Sequence, residues 1–104
     1  MLLTTDWLRA RHRESQREEK LITTTAPLRY DFDRFTFISR QVRQGSRLRL
    51  VIAPLNSIHV QKNFNSGGAI ASQTMADARP VNVRLFHDRR HPSALYVPLG
   101  QPAK

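Results

Sequence analysis

The sequence predicts an all-β fold of antiparallel strands, and three observations carry that expectation. Four segments alternate apolar and polar residues with period two, the pattern of half-buried strands. Turn-forming residues separate them: Gly45 precedes the second, and His87-Asp88-Arg89-Arg90-His91-Pro92 lies between the third and fourth. A length of 104 residues and a mass of 12.0 kDa leave room for one hydrophobic core, so residues 1–104 are read as a single domain.

In chain order, residues 6–13 are ambiguous: Leu8, Ala10 and His12 alternate with Trp7, Arg9, Arg11 and Arg13, yet the residue types also favour helix. Residues 14–20 are wholly polar and suit a solvated linker. The first alternating segment puts Leu28, Tyr30 and Phe32 on one face. Phe35 and Phe37 then fall on the opposite parity, so a bulge at Asp33-Arg34 is expected to return the aromatic face to the core. Leu48, Leu50 and Ile52 oppose Arg47, Arg49 and Val51 in the second segment, and Val81, Val83 and Leu85 oppose Asn82, Arg84 and Phe86 in the third. The fourth sets Leu95, Val97 and Leu99 against Ala94, Tyr96 and Pro98, where the proline suits an edge. Residues 54–79 fit no template and read as one long irregular loop, with a turn at Asn63-Phe64-Asn65-Ser66-Gly67-Gly68 and a weak helical stretch over 69–78. The expected core is Leu28, Tyr30, Phe32, Phe35, Phe37, Leu48, Leu50, Ile52, Val83, Leu85, Leu95 and Val97.

Composition narrows the function classes. The chain is 39% hydrophobic and 24% charged, which excludes a wholly disordered tail, and its apolar residues are too scattered for a membrane span. Asp6 and Arg9 interrupt the start before an apolar run can form, so no secretory signal is expected and the default compartment is cytoplasmic. Zero cysteines exclude disulfides, thiolate metal sites and a cysteine nucleophile. Seventeen Lys+Arg against eight Asp+Glu give a formal charge of +9, which points to an anionic partner.

Four stretches in a fixed order resemble one known domain. They are Trp7-Leu8-Arg9-Ala10-Arg11-His12-Arg13, then Gly45-Ser46-Arg47-Leu48-Arg49-Leu50-Val51-Ile52, then Asn63-Phe64-Asn65-Ser66-Gly67, then His87-Asp88-Arg89-Arg90-His91-Pro92-Ser93 followed by Leu95 and Val97-Pro98. Together they resemble the latter part of the C-terminal domain of X-Pro dipeptidyl-peptidases, cocaine esterases and α-amino-acid ester hydrolases. The resemblance implies a β-sandwich of jelly-roll type, galactose-binding-domain-like, that carries no residue of the Ser-Asp-His triad and packs on a catalytic α/β-hydrolase domain. Ser46 and Ser57-Ile58 depart from the family's pattern.

The residues themselves argue against independent catalysis. No glycine brackets a serine as a nucleophile elbow requires, and His87 and Asp88, being neighbours, would project to opposite faces if extended. His87 and His91 would share a face on a helix and invite a metal, but Pro92 places them in a turn, so neither a metal nor a cofactor is expected. Nucleic-acid binding is the rival reading, since fourteen of the seventeen basic residues are Arg, and Arg9, Arg11, Arg13 and Arg17 cluster near Trp7. Guanidinium groups equally suit carboxylates on neighbouring domains or subunits. The expected role is therefore that of a non-catalytic accessory module, with Trp7, Arg9, Arg11, Arg13, Asn63, Asn65, His87, Asp88 and His91 as its candidate interface. The expected partner is a separately encoded hydrolase domain or, because a partial sandwich leaves open edges, a second copy of the chain.

Overall fold

The computed structural model describes residues 1–55 and 57–101. Among these the only helices are three single turns of 3-10 type, Ala10–His12, Ile70–Ser72 and Met75–Asp77, and no described residue lies in a strand. The all-β expectation is thereby corrected: neither an antiparallel β-sandwich nor a partial jelly roll is formed. The physical reason is that alternation records which side chains would share a face, whereas a strand requires a laddered partner for its N–H and C=O groups. The alternating segments have no such ladder.

The chain forms two compact units, Met1–Gly45 with Phe86–Lys104, and Ser46–Leu85. In the first unit the Asp6 carboxylate accepts hydrogen bonds from the backbone N–H of Trp7 at 2.7 Å and of Arg34 at 2.8 Å. Beside this clamp, Thr36 N–H donates to the Thr5 carbonyl at 3.3 Å and Thr4 Oγ1 donates to the Thr36 carbonyl at 2.7 Å. Residues 4–7 are thus tied to 34–36, at the point where the alternation changes parity. The ambiguous stretch 6–13 resolves into the 3-10 turn Ala10–His12, extended into a closed loop by Lys20 N–H donating to the Arg11 carbonyl at 2.7 Å.

The second unit is organised by the loop after Lys62. Arg79 N–H donates to the Phe64 carbonyl at 2.8 Å, and Asn65 Nδ2 donates to the Arg79 carbonyl at 3.1 Å. Asn65 and Gly67 take positive φ angles of 61° and 79°, which these two residue types tolerate. The turn Met75–Asp77 begins at Thr74 with a capping box, in which the Asp77 side chain returns to the Thr74 N–H.

No described residue is buried, apolar or polar. This corrects the expected core: Leu28 is half-buried, while Tyr30, Phe32, Phe35, Phe37, Leu48, Leu50, Ile52, Val83, Leu85, Leu95 and Val97 are all exposed. The accessible surface is 10692 Å². A globule of this mass would expose roughly 6,000 Å², and even two separate globules sharing that mass roughly 7,000 Å². The apolar stripes lack an opposing layer, so they stay in water. It follows that truncating Phe37, at 91% exposure, should cost almost nothing. Phe37→Ala is expected to change the stability read from amide exchange at Thr36 by less than about 0.5 kcal/mol, where a core phenylalanine loses about 3–5 kcal/mol.

Candidate interaction site

The sequence-predicted interface residues fall into three local arrangements. The first surrounds Trp7, a residue 66% exposed that lines a cleft of about 380 Å³ together with Asp6, His12, Arg13, Asp33 and Arg34 among others. Trp7 is held there from its backbone, because its N–H is bound by Asp6 Oδ1. Arg13 lines the cleft but is already engaged: its Nη1 donates to the carbonyls of Ala10 at 3.0 Å and Lys20 at 2.6 Å. Arg11 is drawn inward as well, its side chain only 9% exposed and its Nη1 donating to both Glu19 oxygens at 3.4 Å. The 14–20 linker supplies the Glu19 carboxylate to Arg11 and the Lys20 carbonyl to Arg13, and Lys20 Nζ adds an ion pair to Glu14 at 2.8 Å. That lysine holds the Glu14 carboxyl below its ordinary pKa. Arg9 alone of the three arginines stays outside, exposed and without an ion pair.

The second arrangement contains Asn63 and Asn65. Asn63 Oδ1 accepts the Asn65 N–H at 3.0 Å, and Asn65 spends its amide on Arg79. Both asparagines therefore build the loop. Inside it, Gln73 Nε2 donates to Ser66 Oγ at 2.6 Å, while Gln73 Oε1 is a buried oxygen with no hydrogen-bond partner.

The third arrangement is the turn after Phe86. Asp88 Oδ1 accepts the backbone N–H groups of Arg90 and His91, both at 2.8 Å, and lies 3.3 Å from His91 Nδ1. Asp88 N–H donates to the His91 carbonyl at 3.3 Å, Ser93 Oγ donates to the Phe86 carbonyl, and the Phe86 and His91 rings lie 5.4 Å apart. Asp88 and His91 are brought together; His87 is exposed and joins neither. Among the described residues no three His, Cys, Asp or Glu side chains converge as metal ligands would. No helix of the described residues is long and apolar enough to cross a membrane.

A feature that total charge conceals lies in its distribution. Residues 1–33 carry six Lys+Arg and six Asp+Glu, whereas residues 34–104 carry eleven and two, so the whole surplus of +9 lies beyond residue 33. Between Asp33 and Asp77 there is no acidic residue at all. Residues 1–33 are thus neutral in sum, and the excess of cations over carboxylates is carried by the residues further on. A running charge count along the sequence carries this signal; the local density of arginines does not.

The Asp88 turn gives a pH dependence of known sign. The His91 N–H bond to its carboxylate, aided by the Arg90 N–H and the His91 charge, holds Asp88 below its ordinary pKa. Such a group lends stability in full above the unfolded value of about 4 and loses it as pH falls through the depressed folded value. Amide protection at Arg90 and His91 should accordingly be level through neutral pH and decline only under acid conditions. Asp88→Ala should abolish the protection at every pH, and Asp88→Asn, which keeps an oxygen acceptor, should retain part of it without the acid decline. Protection unchanged down to about pH 2 would remove the carboxylate from the turn. No family model, curated protein or solved structure matches the chain.

Proposed function

We propose that this chain is a non-catalytic accessory module that acquires its buried surface by docking on a partner protein. One observation carries the reading: the alternating apolar residues Leu48, Leu50 and Ile52, and Val81, Val83 and Leu85, are exposed, and no described residue is buried. A soluble monomer rarely keeps such an area of apolar surface in water, and covering it is what association accomplishes. The resemblance named above supplies a partner class, the catalytic domain of an X-Pro dipeptidyl-peptidase or acyl-ester hydrolase. A non-catalytic role is supported by the turn geometry, where Ser93 Oγ is committed to the Phe86 carbonyl and His91 to Asp88. A second reading, binding to nucleic acid, draws its support from the surplus of arginines beyond residue 33.

The purified chain should hydrolyse neither a small ester nor a Xaa-Pro dipeptide anilide, and by itself should melt without a cooperative transition. Mixing with a catalytic domain of the resembled family should introduce cooperativity and slow amide exchange. Turnover by the chain alone, abolished by Ser93→Ala, would overturn the non-catalytic role. The nucleic-acid reading requires binding to random DNA whose affinity drops steeply with salt.

A further inference from the structure

Residues 46–85 hold five cations, Arg47, Arg49, Lys62, Arg79 and Arg84, against a single carboxylate, Asp77. That carboxylate is occupied locally, since Asp77 Oδ2 accepts the Thr74 N–H at 2.7 Å and lies 3.3 Å from Thr74 Oγ1. Arg47, Arg49 and Arg84 consequently make no ion pair among the described residues. Arg47 and Arg49 alternate with Leu48, Leu50 and Ile52, whose exposures of 51%, 52% and 52% leave about half of each residue in water. No backbone hydrogen bond among the described residues involves 46–55. Unpaired main-chain groups, a cationic stripe and an apolar stripe therefore coincide on one short segment.

Each of these features calls for a different complement, and one kind of surface offers all three. Main-chain donors and acceptors are met by the open edge of a sheet. Side chains two apart on a strand are about 7 Å apart, so Arg47 and Arg49 match carboxylates at the same spacing on that edge. We propose that residues 47–52 add as a strand to the exposed sheet edge of an acidic partner protein. Arg47 and Arg49 then meet its carboxylates, and Leu48, Leu50 and Ile52 meet its apolar side chains. The inference rests on the partner-dependent reading above and names the segment and chemistry through which it operates.

Two other occupants fit less well. A nucleic acid would satisfy the guanidinium groups but offers its phosphates no apolar surface for the leucines. Stacking would need aromatic side chains, and the only Phe, Tyr or Trp in residues 46–85 is Phe64, already beneath Lys62 Nζ at 5.8 Å. A second copy pairing through the same segment would bring four arginines together with no carboxylate among them, which opposes association.

The test uses the full chain, isotope-labelled, with three probes: an acetylated octapeptide alternating Glu and Val, its Lys and Val counterpart, and a twenty-residue oligo-dT. Amides of residues 47–52 should gain at least about tenfold protection with the Glu/Val peptide only. The double variant Arg47→Ala, Arg49→Ala should weaken that binding roughly tenfold or more, and the double Lys variant should weaken it less. Leu50→Pro, which keeps every charge but removes a main-chain donor, should abolish the protection. No core is at stake in these variants, because the segment packs into none. Failure of the Glu/Val peptide to protect these amides overturns the proposal, as does protection by oligo-dT instead. Concentration-dependent protection of 47–52 in the chain alone would assign the edge to a second copy and overturn it too. Slow exchange across the free chain, measured before any probe is added, would instead sink the partner-dependent reading itself.

Discussion

Ordering the backbone and side chains of about a hundred residues costs on the order of 100–200 kcal/mol, and burial of apolar surface is the main term that offsets it. Every other feature of this chain follows from how little it buries. With no described residue classed as buried, hydrogen bonds carry the burden of organisation. Each contributes only about 0.5–1.5 kcal/mol net. They accordingly appear where a side chain can reach a nearby main-chain group at small entropic cost: Asp6 on Trp7, Asn63 on Asn65, Asp77 on Thr74, Asp88 on Arg90 and His91. Asn and Asp do most of this work because their short side chains lose little freedom in bonding to the backbone.

What the sequence made legible divides along the same line. Features decided within a few residues were readable: the positive φ angles of Gly45 at 85° and of Asn65 and Gly67, the turn around Asp88, and short helical turns within 69–78. Each depends on steric freedom or an acceptor supplied by the residue itself. The sheet was misread because a period-two pattern such as Arg47-Leu48-Arg49-Leu50 describes one side of a pairing only. Nothing in those residues supplies the second strand or the covering layer. The parity change at Asp33-Arg34 was seen, but its anchor was not, since the Asp6 contact spans 28 residues and leaves no periodic trace.

The candidate site shows the same limit in electrostatic form. Arg9, Arg11 and Arg13 look like a cationic patch when counted alone, yet Glu19 and the carbonyls of Ala10 and Lys20 absorb two of the three. A guanidinium already bonded in this way has fewer donors and less freedom to turn toward a phosphate or an incoming side chain. Arg47 and Arg49 have no acidic residue within reach along the sequence, so their full donor complement remains. Which arginines are engaged therefore depends on the carboxylates and backbone carbonyls brought near them, Glu19 for Arg11 and the Ala10 and Lys20 carbonyls for Arg13.

The loop closed by Arg79, Phe64 and Asn65 has a consequence in time. Its ends are separated by about fifteen residues, a contour whose closure takes on the order of 10–100 nanoseconds. Encounter between two proteins is slower by many orders of magnitude at micromolar concentration. Should this loop open, its ends therefore rejoin long before a second molecule reaches it, so that contact between Asn65 and Arg79 is re-established between one encounter and the next.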